Sequence, residues 1–294
     1  MAGIFGLFDF TKPGKGIEKD QPEKHPFFLF FELVWRKLGR LILLNMIFFV
    51  ALLPILTVAY FLIDGFLFGL MEQMGVGLSE MTPNFLHSVL SSLMQRMFGW
   101  LFGILVSVSA VLYGPVCCGM TFTLRNFARQ QHTWNSDFFD KFRQNFKQGL
   151  ALGLIDLVLL SLFAFNFTMT SGIGATPLLT VVRYLSIGLF LIYMLMRNYF
   201  FVMAVTFRLK LSQILKNAWI FAILGLWRNL LVFVTNGVLF IAVLIFPLVE
   251  LIAVPFLLFS FTGFLSMFVC FPVVEKYLIT PQAQAVPDMK KQKG

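Results

Sequence analysis

Six stretches of this chain are apolar on every helical face, at 41–62, 98–121, 149–169, 178–200, 230–248 and 251–271. Crossing a bilayer takes about 20 mostly apolar residues, so each is predicted to be a span. The last two run together, and one helix over both would be roughly twice the ~30 Å hydrocarbon core. Pro247 and Glu250 mark the turn expected between them. Two further segments show helical period with one polar face. In the first, Phe138, Phe139, Phe142, Phe146 and Leu150 share a side while Lys141, Arg143, Gln144 and Lys147 face away, and Ser136 stands where an N-cap is wanted. The second begins at Leu211–Ser212, with Ile214, Leu215 and Ala218 opposite Gln213, Lys216 and Asn217, and turns apolar all round from Trp219 to Trp227. Both predict helices lying along a membrane surface. Thr82–Pro83 predicts a short helix over 84–96 that leads into the second span.

The pattern therefore predicts an all-α, polytopic membrane helical bundle of six transmembrane helices and two cytoplasmic interfacial helices. Residues 1–40 form a cytoplasmic N-terminal segment with an interfacial helix, 41–271 the membrane domain, and 272–294 a polar, partly disordered cytoplasmic tail. Composition agrees: 59% of the 294 residues are hydrophobic, 13% are charged and 38 are Phe. Soluble domains hold roughly 45–50% apolar and about 25% charged residues. The first forty residues mix Lys12, Lys15, Lys19 and Lys24 with Asp9, Glu18, Asp20 and Glu23 and lack a signal-type apolar core, so a cleavable signal peptide is not expected there.

Basic residues set the expected orientation. Lys12, Lys15, Lys19, Lys24, Arg36, Lys37 and Arg40 precede the first span. The 63–97 loop holds only Arg96, beside Asp64, Glu72 and Glu80. Arg125, Arg129, Lys141, Arg143 and Lys147 follow the second span, and the 170–177 turn holds none, Arg183 lying just inside the next span. Arg208, Lys210, Lys216 and Arg228 follow the fourth span, and Lys276 and three more lysines lie in the tail. This alternation predicts both termini on the cytoplasmic side. The net charge of +9 then reads as loops facing anionic lipid headgroups rather than nucleic acid.

Sliding the chain by 72 positions sets Arg125-Asn126-Phe127 on Arg197-Asn198-Tyr199, Asn145 on Asn217, and Leu152-Gly153-Leu154 on Leu224-Gly225-Leu226. One reading is a parallel duplication of spans two–three and four–five, an arrangement found in transporters with sites between the repeats. The other is chance agreement in a sequence rich in Leu and Phe.

The string Thr123–Arg129 followed by Asp137–Gln148, with Leu44–Asn45, Pro54–Thr57, Gly114–Pro115 and Lys216–Ala218, resembles the YesL-like bacterial membrane proteins, a family of unknown function. Lys15–Asp20 and Phe27–Trp35 are similar to clostridial-type members. The resemblance implies a multi-pass protein of the bacterial plasma membrane associated with carbohydrate uptake by ATP-binding-cassette permeases. It supplies no activity and no site. Shorter members run from the Pro-x-x-Thr region almost directly to Gly-Pro; here the 63–97 loop and much of a span intervene.

No phosphate-binding Gly-rich loop, metalloprotease His pair or nucleophile elbow is present, so no enzyme, cofactor or metal is expected. His25, His87 and His132 are scattered, and Cys117, Cys118 and Cys270 lie in apolar stretches as buried hydrophobes. Ionisable groups inside spans are the better lead. Asp156 and Arg197 lie at depths that allow an intramembrane pair, read either as glue between helices or as a substrate or proton site. Asn45 and Asn236 read as hydrogen-bonding groups between helices. Arg125, Asn126, Arg129, Arg143, Lys147, Lys216 and Arg228 form a candidate cytoplasmic surface for docking a partner or binding anionic lipid. The acidic-Ala-Ala-x-x-x-Gly pattern of cassette permeases is absent. Two functions follow: a non-enzymatic accessory protein beside a carbohydrate uptake system, such as a cassette permease, or a transporter or channel with a path between the helix pairs.

Overall fold

The protein is described from a computed structural model, which covers residues 25–73, 99–171 and 177–280. The expected helix over 84–96, the first 24 residues and the tail beyond Thr280 lie outside the described residues. The described chain is helical throughout: α1 (Pro26–Gln73), α2 (Gly99–Ala128), α3 (Asn135–Gln144), α4 (Phe146–Ser171), α5 (Pro177–Thr206), α6 (Leu211–Leu224), α7 (Leu226–Ile245), α8 (Pro247–Ala253), a π-helical turn (Val254–Leu258), α9 (Phe259–Val274) and a second π-helical turn (Glu275–Ile279). Among the described residues, six helical segments are long and apolar enough to span a membrane, including one running through most of α8, α9 and both π turns.

Several boundaries differ from those the sequence pattern predicts. No break separates an N-terminal helix from the first span, because α1 is one helix of 48 residues, about 72 Å long. Its first turns rest on the bundle by one side, with Phe30 packed on Phe261, Phe264 and Phe268 of α9. Ser136 does not cap α3. The helix starts two residues earlier than such a cap would give, with Trp134 at the N-cap, and Asp137 accepts a hydrogen bond from the Trp134 amide at 2.8 Å. Nor does α3 reach Phe146, since Asn145 leaves helical geometry and Phe146 opens α4. The 211–227 helix breaks likewise at Gly225, so Leu226 and Trp227 belong to α7. The turn between the last two spans is the single residue Phe246, followed by Pro247 at the first helical position, where its missing N–H costs nothing. Glu250 lies within the first turn of α8.

One order occurs twice, long helix, short helix, long helix, first as α2–α3–α4 and then as α5–α6–α7. Asn145 and Gly225 break the two copies with nearly the same dihedrals, φ −102°, ψ 15° and φ −100°, ψ 20°. The breaks lie 80 residues apart, so the gap-free offset of 72 does not superpose them; at that offset Gly153, inside α4, would face the break at Gly225.

Polar links bind the chain together at one end of the bundle. Arg36 Nη2 donates to Gln130 Oε1 and Arg40 Nη1 to the Thr133 carbonyl. Gln148 Nε2 donates to the Leu209 carbonyl, and Arg129 pairs with Glu275 at 3.1 Å. Among the described residues, every Lys and Arg except Arg183 and Arg197 lies at or near this basic end. Trp35, Trp134, Trp219 and Trp227 are exposed there as well. Aromatic rings beside basic groups are the signature of a membrane–water interface.

Candidate functional site

The polar centre of the bundle is built on a close helix crossing. Gly114 of α2 meets Gly149 and Gly153 of α4 so tightly that a Cβ on Gly114 would collide with the Gly149 carbonyl, and one on Gly153 would lie 2.6 Å from the Gly114 backbone. Small residues four apart let two backbones approach in a membrane, where packing rather than hydrophobic burial drives association. The contact also brings Tyr113, beside Gly114, onto Asp156, three residues beyond Gly153.

Asp156 lies ten residues into α4, and Arg197 nine residues before the end of α5. Both are thus about 15 Å along their helices from the basic end. Arg197 lies deeper than its expected position one turn from the end, because α5 continues to Thr206. At equal depth the two meet: Arg197 Nε donates to both carboxylate oxygens, at 2.9 and 3.0 Å. Tyr113 donates its hydroxyl to Oδ2 at 2.5 Å, and Tyr193 donates to Oδ1. Arg197 Nη2 also donates to the Tyr113 hydroxyl at 2.6 Å. The carboxylate is 0% exposed, whereas 36% of the Arg197 side chain remains accessible. A buried carboxylate with donors on both oxygens is satisfied as an anion, and the cluster ties α2, α4 and α5 together.

Two buried asparagines organise the other helices. Asn45 of α1 donates to the Val254 carbonyl at 2.8 Å and accepts from the Ser260 amide at 2.9 Å. Its amide thereby bridges the π turn in which Pro255 lacks a donor, the side-chain rescue a broken membrane helix needs. Asn229 of α7 accepts from Tyr199 of α5 at 2.7 Å and from Cys270 of α9, and donates to the carbonyls of Phe221 and Ala222 at the end of α6. It caps the short helix against its neighbours. Asn236 donates to Ser266 across α7 and α9.

The basic residues expected on one surface divide into two sets. Arg125 and Asn126 are buried, at 8% and 6% exposure. Arg125 donates to Asn126 Oδ1 and to Thr206 Oγ1, with its guanidinium over the Phe122 ring. They join α2 to α5 and offer nothing outward. Arg129 is half-buried and paired with Glu275. Arg143, Lys147, Lys216 and Arg228 are exposed. The available surface is therefore carried by α3, α6 and the first turns of α4 and α7.

Tyr113, Tyr193, Asn229 and Tyr199 are not singled out by the pattern of apolar and polar positions, because tyrosine is ordinary in an apolar helix and Asn229 sits beside a charged residue. The Gly149-Leu-Ala-Leu-Gly153 spacing is a sequence signal for the crossing that places Tyr113.

Residues 93–167 match a family described as a protein of unknown function, DUF624. The matched part, about a quarter of the chain, takes in Gly114–Pro115, the 123–148 block, Gly149, Gly153 and Asp156. No curated protein and no solved structure matches the chain. The chain is a multi-span helical membrane protein, one quarter of which is similar to a family whose function is unknown.

Proposed function

We propose that this is a non-enzymatic accessory protein of the bacterial plasma membrane, its basic end in the cytoplasm, working beside a solute-uptake system. Carbohydrate is the solute class, and a cassette permease the partner, that the family resemblance implies. The contrast between interior and basic end carries the reading. Asp156, the acid best placed to meet a solute or proton, has no exposure and no vacant oxygen. Arg143, Lys147, Lys216 and Arg228 by contrast stand open on two short helices and the helix starts that follow them, a surface suited to an acidic partner.

Affinity purification from native membranes in mild detergent tests this. A cassette permease is expected with the wild-type chain and is expected to be lost when Arg143 and Lys216 are both changed to Glu. Recovery of the chain alone in both cases would refute the accessory role.

A second reading, a transporter in its own right, is favoured by one observation. The Asp156 cluster, an ionisable pair inside two membrane-spanning helices, lies where the α2/α4 pair meets α5. Solute flux into proteoliposomes of the purified chain, abolished by Asp156→Asn, is the result that would select it.

A further inference from the structure

A shallow cleft opens between α1, α2 and α3 at the basic end. Arg40 and Asn135 stand on its polar side, and Leu43, Ile47, Phe127 and Phe138 line its apolar side. Three features define what fits it. Arg40 donates one hydrogen bond from Nη1, to the Thr133 carbonyl at 3.0 Å, a bond that orients the guanidinium and uses one of its five N–H donors. Lys37, one turn earlier on α1, lies over the Phe127 ring at 5.4 Å and adds a second positive charge beside the cleft. Trp35 on α1 and Trp134 just before α3, at the same end of the bundle, are 81% and 68% exposed. Exposed tryptophans seat at headgroup depth, so the polar side of the cleft stands at the level of lipid phosphate while Leu43 and Ile47 continue below it.

Two acidic groups lie nearby. Glu32 is 4.0 Å from Arg36, one turn further out on α1, and Asp137 accepts the Trp134 amide. Neither lines the cleft. Two cations, Arg40 and Lys37, at a hydrogen-bonding mouth above an apolar wall match a glycerophospholipid of net negative charge, since a zwitterionic one would bring its own cation to theirs. We infer that this cleft seats a single anionic glycerophospholipid, its phosphate on Arg40 and Asn135 and one chain along Leu43 and Ile47. The site is separate from the exposed residues of α6 and α7 and does not depend on a protein partner. An arginine fork presents a geometry that a phosphate can meet with two oxygens, which a diffuse basic rim does not.

Native mass spectrometry of the full chain, released from nanodiscs of equal parts phosphatidylcholine and phosphatidylglycerol, tests the inference. The wild-type chain is expected to retain one phosphatidylglycerol in preference to phosphatidylcholine. Arg40→Gln removes the fork, and Asn135→Asp sets a carboxylate against the phosphate; each is expected to lower retention about tenfold, the loss of one charge-assisted hydrogen bond. Arg143→Gln and Lys216→Gln, at the same end but away from the cleft, should leave retention unchanged. Asn135→Asp keeps the test decisive if Arg40→Gln misfolds, because a carboxylate in the first turn of α3 favours the helix. Equal loss in all four variants, or no preference for phosphatidylglycerol, overturns the site. Displacement of the lipid by excess inorganic phosphate would assign the cleft to a soluble anion instead and would equally overturn it.

Discussion

Replacing Asp156 by Asn keeps the shape of the side chain and removes its charge, which isolates what the carboxylate contributes. In the native protein it accepts from Arg197 Nε, the Tyr113 hydroxyl and the Tyr193 hydroxyl, with no exposure to solvent. Interhelical hydrogen bonds in membranes are worth about 0.6 kcal/mol each on average, so weakening three donors puts about 2 kcal/mol at stake. Removing one partner of a buried ion pair costs about 3–5 kcal/mol, and Arg197, which keeps its bond to the Tyr113 hydroxyl, places this case at the lower end. The two routes meet near 3 kcal/mol, a fall in midpoint of about 6–10 °C for a chain of this size. The assay is thermal unfolding of the purified chain in mild detergent. Arg197→Gln should cost more, because it strands a carboxylate that is wholly buried. The double variant Asp156→Asn/Arg197→Gln should be less damaged than the sum of the singles by about 2 kcal/mol or more. Additivity within about 0.5 kcal/mol, or an unchanged midpoint for Asp156→Asn, would show that the pair does not hold the helices together.

Gly114→Ala drives a methyl into the Gly149 carbonyl, backbone that cannot swing aside, and should cost at least the ~1–3 kcal/mol of overpacking. Gly188→Ala, in the same bundle but with nothing within 4 Å of the new Cβ, should be neutral or stabilising by up to about 1 kcal/mol; thermal unfolding separates the two. For orientation, Cys117, Cys118 and Cys270 are all buried, so a membrane-impermeant maleimide should label the native chain poorly. Arg143→Cys and Lys216→Cys should be labelled in inside-out vesicles and spared in intact cells, and the reverse pattern would place the basic end outside.

The number of spans, the two short helices and the gathering of basic residues at one end were all legible in the amino-acid sequence. Each depends on quantities that sum locally: a window of about 20 apolar residues, a periodic face, a count of charges between spans. Element ends were less legible. The break at Gly225 involves Asn229, whose side chain takes the Phe221 carbonyl and is held in turn by the distant Tyr199 and Cys270.

The depth at which Asp156 and Arg197 meet follows from counting residues along two helices, so their pairing could be anticipated. Their partnership with Tyr113 and Tyr193 could not, because it depends on the rotation of α2 and α5 about their own axes. That rotation is set by packing, at the Gly114 crossing above all. Arg125 makes the same point in reverse. Its charge and its place after a span suggest an exposed group, yet Thr206, Asn126 and the Phe122 ring hold it inside. Asn45 reaches a carbonyl 209 residues away. Apolar length and charge count are fixed by composition along the chain, whereas contact across helices is fixed by which faces small side chains allow to close, and only the tertiary structure decides that.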